Sequence, residues 1–454
     1  MTLRDPVRIA LAIAALALAM AGCGRPSPTQ PWPPNTDPLV FGDASGSNVG
    51  FQPFSGSKVD AVGIDSTTKY QGAAAIKVTV PGPGDPSGGY AGGAFVTTMV
   101  RDLSGYNALS FWVKGSRAVN LETAGFGNDN TGTSRYEAKR SSIPVTPNWT
   151  EVLVPIPLPA RLQVERGLFF FAEGPQAGQG LTLWFDEVRF VNVSTISNPR
   201  PLLARQTLNL SVGASASLEG ATRTTFRVGG VDQTVVHQPG YFTFTSSDPA
   251  VATVGNGFIH AHGNGTARIS AKLGAVAAAD SITVIATAPP ATAAPAPTLP
   301  ASDVISLYSD AYADVAVDTW SASWDQADVA DVTIAGNPTK AYSNLVFSGI
   351  EFTSHPIDAS QMTAFHMDVW VPSGTTFRVK LVDFGPNGVF GTDDSESELT
   401  FNADSTPALA TGQWVSLEVP MANFTGLAAR AHLAQLILSG DTRIVYLDNV
   451  YFHE

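Results

Sequence analysis

The chain has 454 residues, 44% hydrophobic and only 14% charged, with 26 Lys and Arg against 39 Asp and Glu for a formal net charge of −13. Such a length allows roughly three domains of ordinary size, and the apolar content excludes wholesale disorder. No basic stripe occurs, so nucleic acid is excluded as a partner, whereas acidic surfaces suit divalent cations. Gly (42) and Pro (32) are plentiful and long helical periodicities are missing, which predicts an all-β chain of short strands and many turns.

At the N-terminus, Arg4 and Arg8 lead into an apolar run from Ile9 to Met20, followed by AMAGCG with the single cysteine, Cys23. The run is too short to span a bilayer and reads as an export signal over residues 1–22. A lone cysteine forms no internal disulfide. The sequence around Cys23 resembles a bacterial lipoprotein lipobox, with Met20 where Leu is usual. That resemblance implies cleavage before Cys23, lipidation of its sulfur and a membrane anchor of several acyl chains. With Gly24 rather than Asp next, it implies an outer-membrane or cell-surface address. The Pro-rich stretch 23–38 reads as a stiff, extended tether.

A Pro/Ala linker at 288–301 and a weaker boundary near 194–201 divide the remainder into segments 39–195, 200–287 and 302–454. The outer two share three motifs in one order. DLSGYNALSFWV (102–113) matches DASQMTAFHMDVW (358–370), NWTEVLVPI (148–156) matches QWVSLEVPM (413–421), and LWFDEVRF (183–190) matches VYLDNVYF (445–452). Collinear matches of this kind predict a duplicated fold. Read with period two, Trp184, Asp186, Val188 and Phe190 share one face, as do Tyr446, Asp448, Val450 and Phe452. Two jelly-roll β-sandwiches separated by a third β unit are expected.

In the middle segment, TSSDPAVATVGNGFIHAHGNGTARISAKL contains a turn at SSDP, a short strand VATV, a hairpin turn at Asn256-Gly257 and a strand ARISAKL. The pattern resembles bacterial Ig-like domains of the second group. That resemblance implies a sandwich that spaces or displays its neighbours.

Each twin strand places an aspartate among large apolar residues. A buried carboxylate must be paired, protonated or bound to metal. No Lys or Arg recurs at matching positions in both copies, so a hard cation such as calcium is one expectation. Hydrogen bonding to backbone amides at the strand end is the other. The outer segments resemble carbohydrate-binding modules with a galactose-binding-like jelly roll, and 302–454 also resembles an accessory domain of family 16 glycoside hydrolases. Those resemblances imply structural Ca2+ sites using Asp186 and Asp448, completed by Asp43 and Asp310 near the segment starts.

Sugar recognition pairs flat aromatics with polar groups. In the third segment, Trp320 and Trp324 are the expected platforms, with Tyr342, Tyr308 and Tyr312 behind them. Asp383 opens an acidic, Gly-rich loop (382–399). In the first segment, Arg135 and Tyr136 fall in a cluster with Tyr90, Phe126, Asn128, Asp129 and Asn130. Trp149 and Trp414 precede strands and read as structural. The paired-carboxylate strand of family 16 hydrolases is absent, as are nucleophile-elbow, zincin and P-loop motifs. The expectation is therefore a surface lipoprotein that binds polysaccharide or oligosaccharide without cleaving it. A structural or adhesion protein that binds other proteins is the alternative, and a polysaccharide-degrading enzyme the second.

Overall fold

A computed structural model describes residues 34–454; the export signal, Cys23 and the first part of the tether lie outside the described residues. The first sandwich comprises β1 (Leu39–Phe41), β2 (Val49–Pro53), β3 (Val62–Asp65), β4 (Ala75–Val80), β5 (Ala91–Arg101), β6 (Ala108–Gly115), β7 (Val119–Phe126), β8 (Ala138–Val145), β9 (Thr150–Pro155), β10 (Glu165–Glu173) and β11 (Leu181–Val191). One sheet runs β3-β4-β11-β6-β9, with β1 on β11, and the other contains β2-β5-β10-β7-β8. Alternation sets the inner faces. In β4, Ile76, Val78 and Val80 are buried while Lys77 and Thr79 point to solvent. Phe111, Phe169, Phe171 and Phe185 pack between the sheets with ring centroids 5.1–6.0 Å apart. Arg101, fully buried, ties down the chain's entry by donating to the carbonyls of Asp37, Leu39 and Ser47.

The middle segment comprises β12 (Ile196–Leu203), β13 (Gln206–Ser211), β14 (Ser215–Ser217), β15 (Thr222–Val228), β16 (Val231–His237), β17 (Thr243–Ser246), β18 (Ala252–Gly255), β19 (Phe258–Ala261), β20 (Gly265–Leu273), β21 (Val276–Ala277) and β22 (Ile282–Thr287). A sheet β13-β22-β20-β17, with β13 and β22 parallel, faces β14-β19-β18. Asn256 (φ +51°) and Gly257 (φ +84°) form the two-residue hairpin between β18 and β19 that the sequence predicts.

The expected spacer is not free-standing. β12, β15 and β16 extend the first sandwich's second sheet through β16 and β8, at Val236↔Lys139 and His237↔Ala138. One hydrophobic core runs through both segments. His237 sits at this seam, buried, with Nε2 3.0 Å from Thr224 Oγ1 and Nδ1 3.1 Å from the Gln238 carbonyl. Burial pushes its pKa down to about 4, against a small upward pull from that carbonyl.

The third sandwich comprises β23 (Val304–Tyr308), β24 (Gln326–Ile334), β25 (Asn337–Glu351), β26 (Ala364–Trp370), β27 (Phe377–Asp383), β28 (Ser395–Phe401), β29 (Trp414–Pro420), β30 (Leu433–Gly440) and β31 (Val445–His453). Its topology repeats the first: β25-β31-β26-β29 with β23 on β31 parallels β4-β11-β6-β9 with β1 on β11. Here the long β25 serves both sheets. It pairs with β31 at Lys340–Tyr342 and with β30 at Phe347–Glu351, and between the halves lies Asn344 at φ +52°. Asn344 Oδ1 also accepts from the Asn209 amide at 2.6 Å, joining the middle and third segments.

The period-two reading of the twin strands needs one correction. The core receives Leu183, Phe185, Val188 and Phe190 from β11, and Val445, Leu447, Val450 and Phe452 from β31. Parity changes at the aspartate because each strand carries a bulge there. The register shifts in β11 between Asp186 and Arg189, and the following residues, Glu187 and Asn449, both adopt φ +50°. Asp186 and Asp448 therefore share the outer face with Trp184 and Tyr446, opposite the main core.

Candidate functional site

Each aspartate closes its own bulge. Asp186 Oδ1 accepts from the Glu187 amide and Asp448 Oδ1 from the Asn449 amide, both at 2.8 Å. In the first sandwich, Asp186 Oδ2 also accepts from the amides of Tyr70 (2.8 Å) and Gln71 (3.3 Å). Asp43 Oδ1 accepts from the amides of Ala73 and Ala74. The two carboxylates thereby hold one loop against the sheet, and Tyr70 from that loop stacks on Trp112 at 3.8 Å and 11°. Burial raises the Asp186 pKa, the two loop amides lower it, and Asp43 adds a smaller upward push. Both Asp186 oxygens and Asp43 Oδ1 thus accept N–H donors as they stand, and a cation here would have to displace some of them.

The third sandwich differs. Asp448 Oδ2 accepts from Asn337 Nδ2 at 2.6 Å, and Asp448 is raised to about 7 by burial, with the charges of Asp310 and Asp368 adding to the shift. Asn337 Oδ1 is buried without a hydrogen-bond partner. Both Asp448 oxygens also accept N–H donors, and the unpaired Asn337 oxygen is the one feature here that favours a hard cation over the first copy. Among the described residues, no three His, Cys, Asp or Glu side chains converge on a metal-holding arrangement.

A cleft of about 930 Å3 opens where the first sandwich meets the middle segment. Tyr90, Asn128, Asn130 and Arg135 line one wall; Gln238, Phe244 and Phe258 line the other. The loop after β7 is shaped by its own polar groups: Asn128 Oδ1 accepts from the Asn130 amide, and Asp129 Oδ1 accepts from the hydroxyls of Thr131 and Ser134. Arg135 is exposed, with its guanidinium 5.6 Å from the Tyr136 ring. Tyr136 is fixed edge-on to Tyr241, whose hydroxyl donates to its carbonyl at 2.8 Å. Phe258, directly after the Asn256-Gly257 hairpin, is 44% exposed. Apolar rings beside amides and a guanidinium form a surface suited to an uncharged, hydroxyl-rich ligand.

A second cavity of about 410 Å3 lies behind the same loop and is lined by Tyr136, Asp129, Arg161 and Glu165. Burial raises Glu165 to about 8, with a smaller push from Asp129. Burial also acts on Asp129, but the hydrogen bonds from Thr131 and Ser134 outweigh it and its pKa falls.

Arg135, Tyr90, Asn128 and Asn130 line the larger cleft, Tyr136 and Asp129 the smaller cavity, and Phe126 lies in the core. In the third sandwich two expected ligand contacts are internal. Tyr342 is fully buried and donates to the Trp320 carbonyl at 2.7 Å. Asp383 is also fully buried, with one oxygen accepting from the Gly385 amide and the other from the His432 amide. It shapes the loop it opens. Trp320 is half-buried, edge-on to Tyr308, and Lys340 Nζ lies 4.9 Å from both rings. Of the aromatics expected to meet ligand there, Trp324, 46% exposed, presents a face to solvent. Trp149 lies edge-on to Tyr70, and Trp414 packs beside Trp370. Sequence reading missed Phe258, Gln238 and Glu165, which reach these cavities only through packing between segments. The exposed aromatic after the Asn-Gly turn was the one available signal.

Residues 39–191 match the family model of carbohydrate binding domain 30. No curated relative matches the chain. Among solved structures, a family 30 carbohydrate-binding module is similar at 19% identity, covering 34% of this chain and 87% of that one, with a TM-score of 0.26. The family 30 module of a cellulosomal cellulase from Clostridium thermocellum is similar at 18% identity, covering 35% and 95%, with a TM-score of 0.24. A β-1,2-glucanase from Parabacteroides distasonis is similar at 15% identity, covering 57% of this chain and 40% of that one, with a TM-score of 0.26.

Proposed function

We propose that this chain is a lipid-anchored surface protein that binds polysaccharide without cleaving it, using the cleft between the first sandwich and the middle segment. The observation that carries the reading is the match of residues 39–191 to a carbohydrate-binding family. The cleft supplies what such binding needs: Tyr90 and Phe258 as flat apolar surfaces, with Asn130, Arg135 and Gln238 for hydroxyls. The anchor rests on the lipobox-like sequence at Cys23.

The test is a glycan array on the full chain, beside Arg135→Ala and Tyr90→Ala variants. Binding to a neutral glycan that both variants weaken supports the reading. Binding to no glycan, with folding intact, refutes it in favour of a structural or adhesion protein that contacts other proteins.

The proposal extends to a structural Ca2+ in the third sandwich, held by Asp448 and Asp310 with the Asn337 amide oxygen turned inward. A chelator then lowers the melting temperature of metal-loaded protein, and Asp448→Ala abolishes that response. A melting temperature indifferent to chelator in metal-loaded protein refutes the calcium site.

A degradative reading has one observation in its favour. Glu165 and Asp129 line one cavity, with pKa values displaced in opposite directions. Reducing-end release from polysaccharide, abolished by Glu165→Gln, would establish it; no release in wild type removes it.

A further inference from the structure

The outer face of the strands β28-β27-β30-β25 is exposed around Trp324 in the third sandwich. In the first sandwich the corresponding outer face carries Phe170, buried against Phe54 with ring centroids 6.4 Å apart. In the third sandwich similar cover is confined to one end, where Val382, Phe384 and Ala434 are buried together and Phe390 lies edge-on to Phe384. Register places its outward side chains in rows across the sheet. One row is Thr400, Arg378, Ser439 and Phe347; the next is Glu398, Lys380, Ile437 and Gly349; the third is Glu396, Val382, Gln435 and Glu351.

Trp324 lies flat on this face. Gly349 makes that possible, because a Cβ at 349 would collide with the indole. The ring is nearly parallel to Phe347 (6.1 Å, 19°), and its Nε1 donates to Glu351 Oε1 at 3.1 Å. Gln435 Nε2 donates to the same oxygen at 3.1 Å, fixing Glu351 in turn. An incidental surface tryptophan has no reason to be seated over a glycine and hydrogen-bonded at its edge. Here one ring face is fixed against the sheet and the other is left to solvent.

Both cations on the face are matched by carboxylates, while Glu351 is held by Trp324 and Gln435 instead. Lys380 pairs with Glu396 at 2.8 Å and Arg378 with Glu398 at 3.7 Å. A surface whose cations are already paired offers little to a polyanion but retains donors and acceptors for hydroxyl groups. We propose that this face is a second binding site, for a neutral polysaccharide, with the Trp324 indole as the platform on which a pyranose ring stacks. The proposal rests on the carbohydrate-binding reading of the chain but uses a different segment and a different surface. Two sites on one chain would also raise avidity for a long polymer that reaches both.

The test is affinity electrophoresis and calorimetry of the full chain with soluble mixed-linkage β-1,3-1,4-glucan, xyloglucan and galactomannan, and with alginate as the polyanionic control. Trp324→Ala and Gly349→Ala should each weaken binding to a retarding neutral polymer by about tenfold, at unchanged melting temperature. That polymer should also quench tryptophan fluorescence in wild type more than in Trp324→Phe. Arg135→Ala serves as the independent cleft variant. Wild-type affinity in both Trp324→Ala and Gly349→Ala, with loss only in Arg135→Ala, overturns the second site while leaving the cleft reading intact. Retardation by alginate alone overturns the neutral-ligand assignment. Retardation by none of the polymers overturns both readings.

Discussion

His237 allows a quantitative test of the seam between the first two segments. Its Nδ1 proton faces the Gln238 carbonyl and its Nε2 accepts from the Thr224 hydroxyl, in a pocket closed by Tyr241 and Phe242. Protonating Nε2 places a charge in a dry site, even though the Thr224 hydroxyl can turn to accept from it. The folded pKa of about 4 lies below the ordinary 6.5, so the stabilising contribution is fully present above pH 6.5 and is lost as pH falls through 4. A displacement of that size corresponds to about 3 kcal/mol as an upper bound. His237→Gln retains an acceptor for Thr224 and a donor for Gln238 but does not titrate. It should cost about 1–2 kcal/mol at pH 7 through poorer packing. As pH falls to 4, the wild-type advantage should shrink and then reverse. Hydrogen exchange of peptides covering 134–145 and 222–242, measured from pH 7 to pH 4 and corrected for intrinsic rates, reads the seam locally. Parallel pH dependence in the two proteins would refute the reasoning. The paired comparison matters because Glu173, raised to about 7 mainly by burial, titrates with the opposite sign.

Three further outcomes are expected. Glu165→Gln removes a carboxyl whose raised pKa, about 8, makes wild-type stability decline as pH rises from about 4.5 through 8, so the variant's melting temperature should fall less than wild type's between pH 6 and pH 9. Asp186→Ala leaves the amides of Tyr70, Gln71 and Glu187 without their acceptor and should lower stability by about 2–4 kcal/mol, read by urea denaturation, with faster proteolysis of the 66–74 loop. Arg101→Met frees the carbonyls of Asp37, Leu39 and Ser47 in a buried setting and should cost about 3 kcal/mol, read as a lower urea midpoint.

The duplicated architecture was legible because strand pairing imposes the same demands twice: tryptophan-to-proline edges, alternating apolar runs and an aspartate before the last apolar pair. The faces of β11 and β31 were not, because a bulge inserts one residue without changing composition, and only backbone conformation at Glu187 and Asn449 reveals it. Tyr342 and Asp383 misled for a related reason. An aromatic or acidic residue in loop-like sequence looks available until a neighbouring strand supplies its partner, here the Trp320 carbonyl and the His432 amide. Arg135 and Tyr136 were readable locally. Their opposite wall came from residues about a hundred positions later, and no short-range pattern encodes that convergence. Trp324 stood out from Trp320 only once Gly349 and Glu351 were seen beneath and beside it.

The near-twin strands β11 and β31 also bear on folding fidelity. Each forms the centre of its sheet, between β4 and β6 or between β25 and β26, and each could in principle be captured by the other copy's partners during synthesis. Divergence at the outward positions works against that exchange. Arg189 pairs with Glu187 within its own strand, whereas the residue one place before the matching end of β31 is Tyr451, stacked on His366 at 4.4 Å. The interposed segment acts in the same direction. By fusing its strands to the first sandwich, it gives the N-terminal copy partners close in sequence that the second copy would have to displace.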